Sequence, residues 1–109
     1  MELAGQYAQA LTGYASALDK WPFDLAAMMG KANSLYALDR LGEAENTLRQ
    51  TVKMHPDSGP ALNNLAQVLL EQDKIKAAHQ AINKALELGG PYTETFQETR
   101  TDILNRAKK

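Results

Sequence analysis

The residues best suited to chemistry are few and scattered. His55 and His79 are the only histidines, they stand in different stretches of the chain, and there is no cysteine. Zinc sites draw on closely spaced His and Cys ligands, such as the H-E-x-x-H pair one helical turn apart, and nothing here has that spacing. Without a thiol there is no cysteine nucleophile and no disulfide. Asp19, Asp24, Asp39, Glu43, Glu45 and Glu71 are spread along the chain. General acid and base catalysis needs two such groups in one dry cleft, and the pattern gathers no pair, so these carboxylates read as solvated charge on helix exteriors and turns. Gly89-Gly90 ends a helical stretch, whereas a phosphate-binding loop opens one after a strand. What remains is a set of amides, Asn33, Asn63 and Asn64. Each can donate and accept hydrogen bonds at once. The residue types thus point to recognition without catalysis, and call for no cofactor and no metal.

The elements that must carry these side chains are bounded by composition. A chain of 109 residues has room for one domain, and its 44% apolar content suffices for a buried core. Twelve basic against thirteen acidic residues leave a net charge of −1. A nucleic-acid interface needs clustered Lys and Arg to displace counterions, and membrane-surface binding needs the same, so neither is expected. No apolar run is long enough to span a bilayer, and the first residues lack the basic and apolar regions of a signal peptide. The sequence therefore reads as that of a soluble chain, with its compartment left open.

Internal repetition decides the architecture. A shift of 34 positions superposes Pro22 on Pro56 and brings Ala10, Ala44 and Ala78 into one register. Tyr14, Leu48 and Ile82 then coincide, as do Leu18, Val52 and Leu86, and Tyr7, Leu41 and Ile75. The second half of the unit recurs too: Met28, Leu62 and Phe96 align, Leu35, Leu69 and Ile103 align, and Ala32 meets Ala66. Within a unit, Leu62, Leu65, Ala66 and Leu69 fall at i, i+3, i+4 and i+7, one apolar stripe of a helix, and Ile75, Ala78, Ile82 and Leu86 form another. Each period is thus two helices and a short turn. The turn in the first period is placed at Leu41-Gly42, where glycine tolerates the backbone. Asp57-Ser58-Gly59-Pro60 supplies caps and a first-turn proline for the next helix, and Gly89-Gly90-Pro91 supplies a left-handed cap and a stop. No strand-like alternation is present.

The run from Gly5 through Tyr7, Ala10, Tyr14, Ala17 and Leu18 to Pro22 closely resembles the second helix of a tetratricopeptide repeat, which favours Gly, an aromatic, a small Ala, an aromatic, Ala-Leu and a closing Pro at these spacings. Residues 25–58 and 59–92 then look like two complete repeats, and residues 93–109 like a capping helix, with residues 1–24 holding the second helix of a truncated repeat. The resemblance implies an all-α fold, a right-handed superhelix of antiparallel helix pairs (an α-solenoid) of about six helices. Departures from the family pattern stand at Lys31, where an apolar residue is usual, and at Thr51, where a small one is, so packing is expected to loosen there. Thr99 and Arg100 replace an apolar and a small residue, which fits a polar outer face on a terminal helix.

The resemblance also implies a non-catalytic protein-interaction module whose concave groove, lined by the first helix of each repeat, takes an extended peptide or a partner helix. The groove positions it assigns include Ala26, Met29, Asn33, Tyr36 and Ala37, then Pro60, Asn63, Asn64, Gln67, Leu70 and Glu71, then Gln97 and Thr101. Some family members hold a C-terminal carboxylate with Lys, Asn, Asn, Lys and Arg. Asn33 and Asn64 match the amides, but Met29, Glu94 and Glu98 stand at the basic positions. A neutral or mildly apolar ligand is therefore expected. Met1 runs into helical sequence without a capping residue, which reads as the cut edge of a longer, bacterial protein; the apolar side of residues 3–20 is then left to homodimerise. Gly89-Gly90-Pro91 and the helix holding Phe96 also resemble the repeat tail of some C39-like cysteine peptidases, and the alternatives are a non-catalytic region of such an enzyme or a structural spacer.

Overall fold

The computed structural model describes residues 3–108. Met1, where the uncapped start was expected, lies outside the described residues. Six helices follow in order: α1 (Leu3–Lys20), α2 (Leu25–Ala37), α3 (Leu41–Met54), α4 (Gly59–Glu71), α5 (Ile75–Leu88) and α6 (Thr93–Ala107). There is no strand among the described residues. The chain divides into two compact units, the first closing at His55 and the second opening at Pro56.

In the first unit α2 packs between α1 and α3. Its core is made by Ala27, Met28, Ala32 and Leu35 from α2 and Ala44, Leu48 and Thr51 from α3, all buried. Ala32 and Ala44 are 0% exposed. Small side chains at the helix crossing let the two axes close, which is the role their register assigned them. No residue of α1 is buried. In the second unit α5 packs on α4 and α6, and α4 also meets α6. Leu62, Leu69, Ile82, Phe96 and Ile103 make this core around Ala66 and Ala78. Burying each such large side chain stabilises the fold by about 1.5–3 kcal/mol.

The helix ends follow from local chemistry. Asp24 and Ser58 cap α2 and α4 through their side-chain oxygens, which accept from the N–H groups of Ala27 (2.9 Å) and Ala61 (3.2 Å). Asp24 is thus a cap as well as a surface charge. The turn after α2 is not made at Leu41-Gly42, both of which lie in the first turn of α3. It is made at Asp39, with φ 60°, and its counterpart after α4 is Asp73, with φ 61°. Each aspartate ends its helix in the same way. The N–H of Arg40 donates to the Leu35 carbonyl and that of Lys74 to the Leu69 carbonyl, both at 2.9 Å, while Asp39 and Asp73 donate to the carbonyls of Tyr36 and Leu70. This satisfies last-turn carbonyls that an α-helix leaves unpaired. Gly89 caps α5 with φ 70° and ψ −147°, a positive-φ cap as expected, but outside the narrow left-handed helical region.

The departures at Lys31 and Thr51 have different outcomes. Thr51 is 0% exposed, and its hydroxyl donates to the Thr47 carbonyl at 2.7 Å, so no polar group is orphaned and the packing is tight. Lys31 is half-buried and lines an open cleft with Arg40 and Glu43. Thr99 follows Thr51: it is buried rather than on the outer face, with its hydroxyl bonded to the Thr95 carbonyl, while Arg100 is exposed.

Candidate functional site

On α2, Met29, Asn33 and Tyr36 fall at i, i+4 and i+7 and so share one face. Met29 is half-buried, while Asn33 and Tyr36 are exposed. On α4, Asn64, Gln67 and Glu71 fall at i, i+3 and i+7, with Asn64 half-buried and the other two exposed. These two polar faces carry Met29, Asn33, Tyr36, Asn64, Gln67 and Glu71 of the positions assigned to the groove. Gln97 and Thr101 on α6 are exposed as well, the Thr101 hydroxyl being bonded to the Gln97 carbonyl at 3.0 Å.

Asn63 and Leu70 do not join them. Asn63 is 6% exposed and Leu70 8%. Asn63 stands one turn from the exposed Gln67 but shares the buried Ala66 and Leu70 side of α4. Its Oδ1 is buried and makes no hydrogen bond. Leu70 offers its carbonyl instead, which accepts from Arg106 Nη1 at 3.3 Å and ties α6 to the end of α4.

Among the carboxylates taken as solvated, Glu45 is buried and accepts from Arg49 Nε at 2.8 Å, one turn along α3. Glu43 pairs with Arg40 through both carboxylate oxygens, and this hydrogen bonding holds its carboxyl below the usual range, with a smaller push from the Arg40 and Lys31 charges. His55 ends α3, and its Nε2–H donates to the Phe23 carbonyl at 2.6 Å. His79 Nδ1 faces Asn83 Nδ2 at 3.2 Å, and its ring lines an apolar cleft with Ile75, Ile103 and Leu104. Among the described residues no three His, Asp or Glu side chains gather where a metal ion could sit, and no helix is long and apolar enough to cross a membrane.

Two surface features were not assigned from the sequence. Trp21 and Phe23, flanking Pro22, are more than half exposed. Trp21 also lines a hollow with Tyr14, Asp24, Ala27 and Ala26, the last of which is among the assigned groove positions. Aromatic residues on both sides of a proline in a loop were the available signal, masked because the same proline served as the repeat marker. The face of α1 expected to self-associate leaves Leu3, Tyr7 and Tyr14 exposed.

Comparison with known proteins gives a consistent result. One family model, described as tetratricopeptide repeat, matches residues 31–92, and a second of the same description matches residues 3–58. No curated protein matches the chain. Among solved structures, the first TPR of Spaghetti (RPAP3) bound to the HSP90 peptide SRMEEVD is similar with a TM-score of 0.86 at 17% identity, over 96% of this chain and 82% of that one. The first TPR domain of human RPAP3 gives 0.75 at 17% identity, over 93% and 84% of the two chains. The MamA RS-1 ArsTM double mutant gives 0.70 at 18%, over 95% and 67%.

Proposed function

Since the chain belongs to the tetratricopeptide repeat family, we propose that it is a non-catalytic interaction module that takes an extended peptide or a partner helix along the exposed faces of its first helices. The observation that carries this is the placement of Asn33 and Tyr36 on α2, and of Asn64, Gln67 and Glu71 on α4, outside the core of either unit. Amides in such positions pair with a ligand backbone, while Met29 and Tyr36 give adaptable apolar contact. Similarity to a domain that holds the acidic SRMEEVD peptide does not carry that ligand over. Met29, Glu94 and Glu98 place a thioether and two negative charges where a carboxylate clamp needs cations, so the ligand is neutral or mildly apolar.

Selection of peptides from a random display library against the whole chain tests this. Recovered peptides that shift the side-chain amide resonances of Asn33 and Asn64 should be poor in Asp and Glu and should be lost on the double change Asn33→Ala and Asn64→Ala. Micromolar binding of SRMEEVD itself, or selected peptides that leave both amides unmoved, would refute the assignment. For the open face of α1 the same reading gives self-association; a sedimentation coefficient constant over a hundredfold concentration range would remove it.

A further inference from the structure

The first unit contains a cleft of about 380 Å³ lined by Leu11 and Ala15 of α1, Lys31 and Leu35 of α2, and Arg40, Glu43, Asn46, Thr47 and Gln50 at and along α3. That volume lies in the range of small-ligand sites. It takes in none of the residues assigned to peptide recognition. The repeat register explains how it arises. The counterpart of Lys31 in the next unit is Leu65, which is 5% exposed and belongs to the core, and the one after is the buried Thr99. Where the second unit places Leu65 in its core, the first places a half-buried lysine at the wall of an open cleft.

The charges in the cleft are unequal. Arg40 and Glu43 engage each other through paired hydrogen bonds. Lys31 acts on Glu43 only through its field. Two cations against one carboxylate leave the cleft one positive charge in excess, beside an apolar wall of Leu11, Ala15 and Leu35 and the amides of Asn46 and Gln50. We propose that this cleft is a binding site for a carboxylate borne on a short aliphatic stem, with the Lys31 ammonium as its charge partner, the stem against Leu11 and Leu35, and the amides of Asn46 and Gln50 on its remaining polar groups. The stem can belong to an acidic side chain of a partner protein or to a free dicarboxylic acid.

The test is a ¹H–¹⁵N titration of the whole chain with two probes, glutarate and a blocked tripeptide, acetyl-Ala-Glu-Ala-amide. The proposal expects saturable shifts at Lys31, Asn46 and Gln50 with at least one probe, with a midpoint of about 1–10 mM at low salt. Response to the tripeptide alone assigns the site to a partner's side chain, and response to glutarate alone to a free acid. Affinity should fall as salt shortens the screening length from about 30 Å to about 8 Å. Lys31→Arg should retain binding and Lys31→Leu, which copies Leu65, should weaken it at least tenfold while the spectrum stays dispersed. No saturable shift with either probe at about 50 mM, or shifts unchanged in Lys31→Leu, overturns the proposal.

Discussion

Gly59 is the residue whose replacement tests the core of the second unit most directly. A Cβ built there would lie 2.8 Å from Cζ and 2.9 Å from Cε2 of Phe96, against 3.4–4 Å for ordinary contact. Phe96 is 1% exposed, so its ring has no solvent to swing into. The first turn of α4 and the start of α6 must therefore part. Overpacking of this kind costs roughly 1–3 kcal/mol. Replacing Gly by Ala inside a helix returns up to about 1 kcal/mol, and less at the first helical position that Gly59 occupies. The net expectation for Gly59→Ala is a loss of about 1–2 kcal/mol. At about 4–8 °C per kcal/mol for a domain near this size, Tm should fall by roughly 5–15 °C. Thermal unfolding followed by circular dichroism measures it. Shortening the opposing ring should remove the clash, so Gly59→Ala should cost far less in a Phe96→Leu background. If the two changes are additive, the ring is not what excludes a side chain at position 59, and α4 does not pack on α6 through Gly59 and Phe96.

Three further outcomes follow from the same structure. At Gly30 an added Cβ would meet the Tyr14 ring at 2.3 Å, but Tyr14 is 36% exposed and can swing out, so Gly30→Ala should cost no more than about 1 kcal/mol while moving the Tyr14 ring resonances. Asp73→Gly should raise stability by up to about 1 kcal/mol in denaturant titration, because a φ of 61° costs an aspartate, though less than most residues, what it does not cost glycine, and Asp39→Gly should do the same. Glu43 has a folded pKa below its unfolded one, so its contribution is full above the ordinary carboxylate range and is lost as pH falls through the folded value. Glu43→Gln should therefore flatten the acid side of the stability profile at low salt, and the difference should vanish at high salt because both partners are exposed.

Much of the fold was legible because a repeat states its own register. Met28, Leu62 and Phe96, aligned by the period, are all buried, and so are Leu35, Leu69 and Ile103. Which of the proposed groove positions reach the surface is legible only in part. Asn33, Asn64, Gln67 and Glu71 lie on partly or fully exposed positions. Asn63 lies one turn from the exposed Gln67 yet is 6% exposed, which the helical period alone does not reveal. Glu45 was misread for another reason: a carboxylate beside Ala44 on the inner half of α3 can be buried once Arg49 is one turn away to pair with it. The turn after α2 is sought at Gly42, whereas Asp39 holds its left-handed residue, as Asp73 does after α4, aspartate being among the few residues that tolerate that region.

Lys31, Leu65 and Thr99 occupy one register position and show three ways of filling it. Leu65 contributes apolar area to its core. Thr99 is buried with its hydroxyl returned to its own helix, and Lys31 keeps an ammonium that cannot be buried unpaired and lines an open cleft. The lysine therefore carries a stability cost that its replacement can measure. Full burial of a leucine stabilises by about 1.5–3 kcal/mol, and the aliphatic stem of Lys31 already covers part of the same surface. Lys31→Leu should then gain about 1 kcal/mol and raise Tm by about 4–8 °C. The change should be larger than for Lys31→Met, whose flexible chain fills a gap with less definition. A fall in Tm on Lys31→Leu would show that the lysine is held by contacts stronger than its field on Glu43, and that the cleft is not an opening left by a charge in a core position.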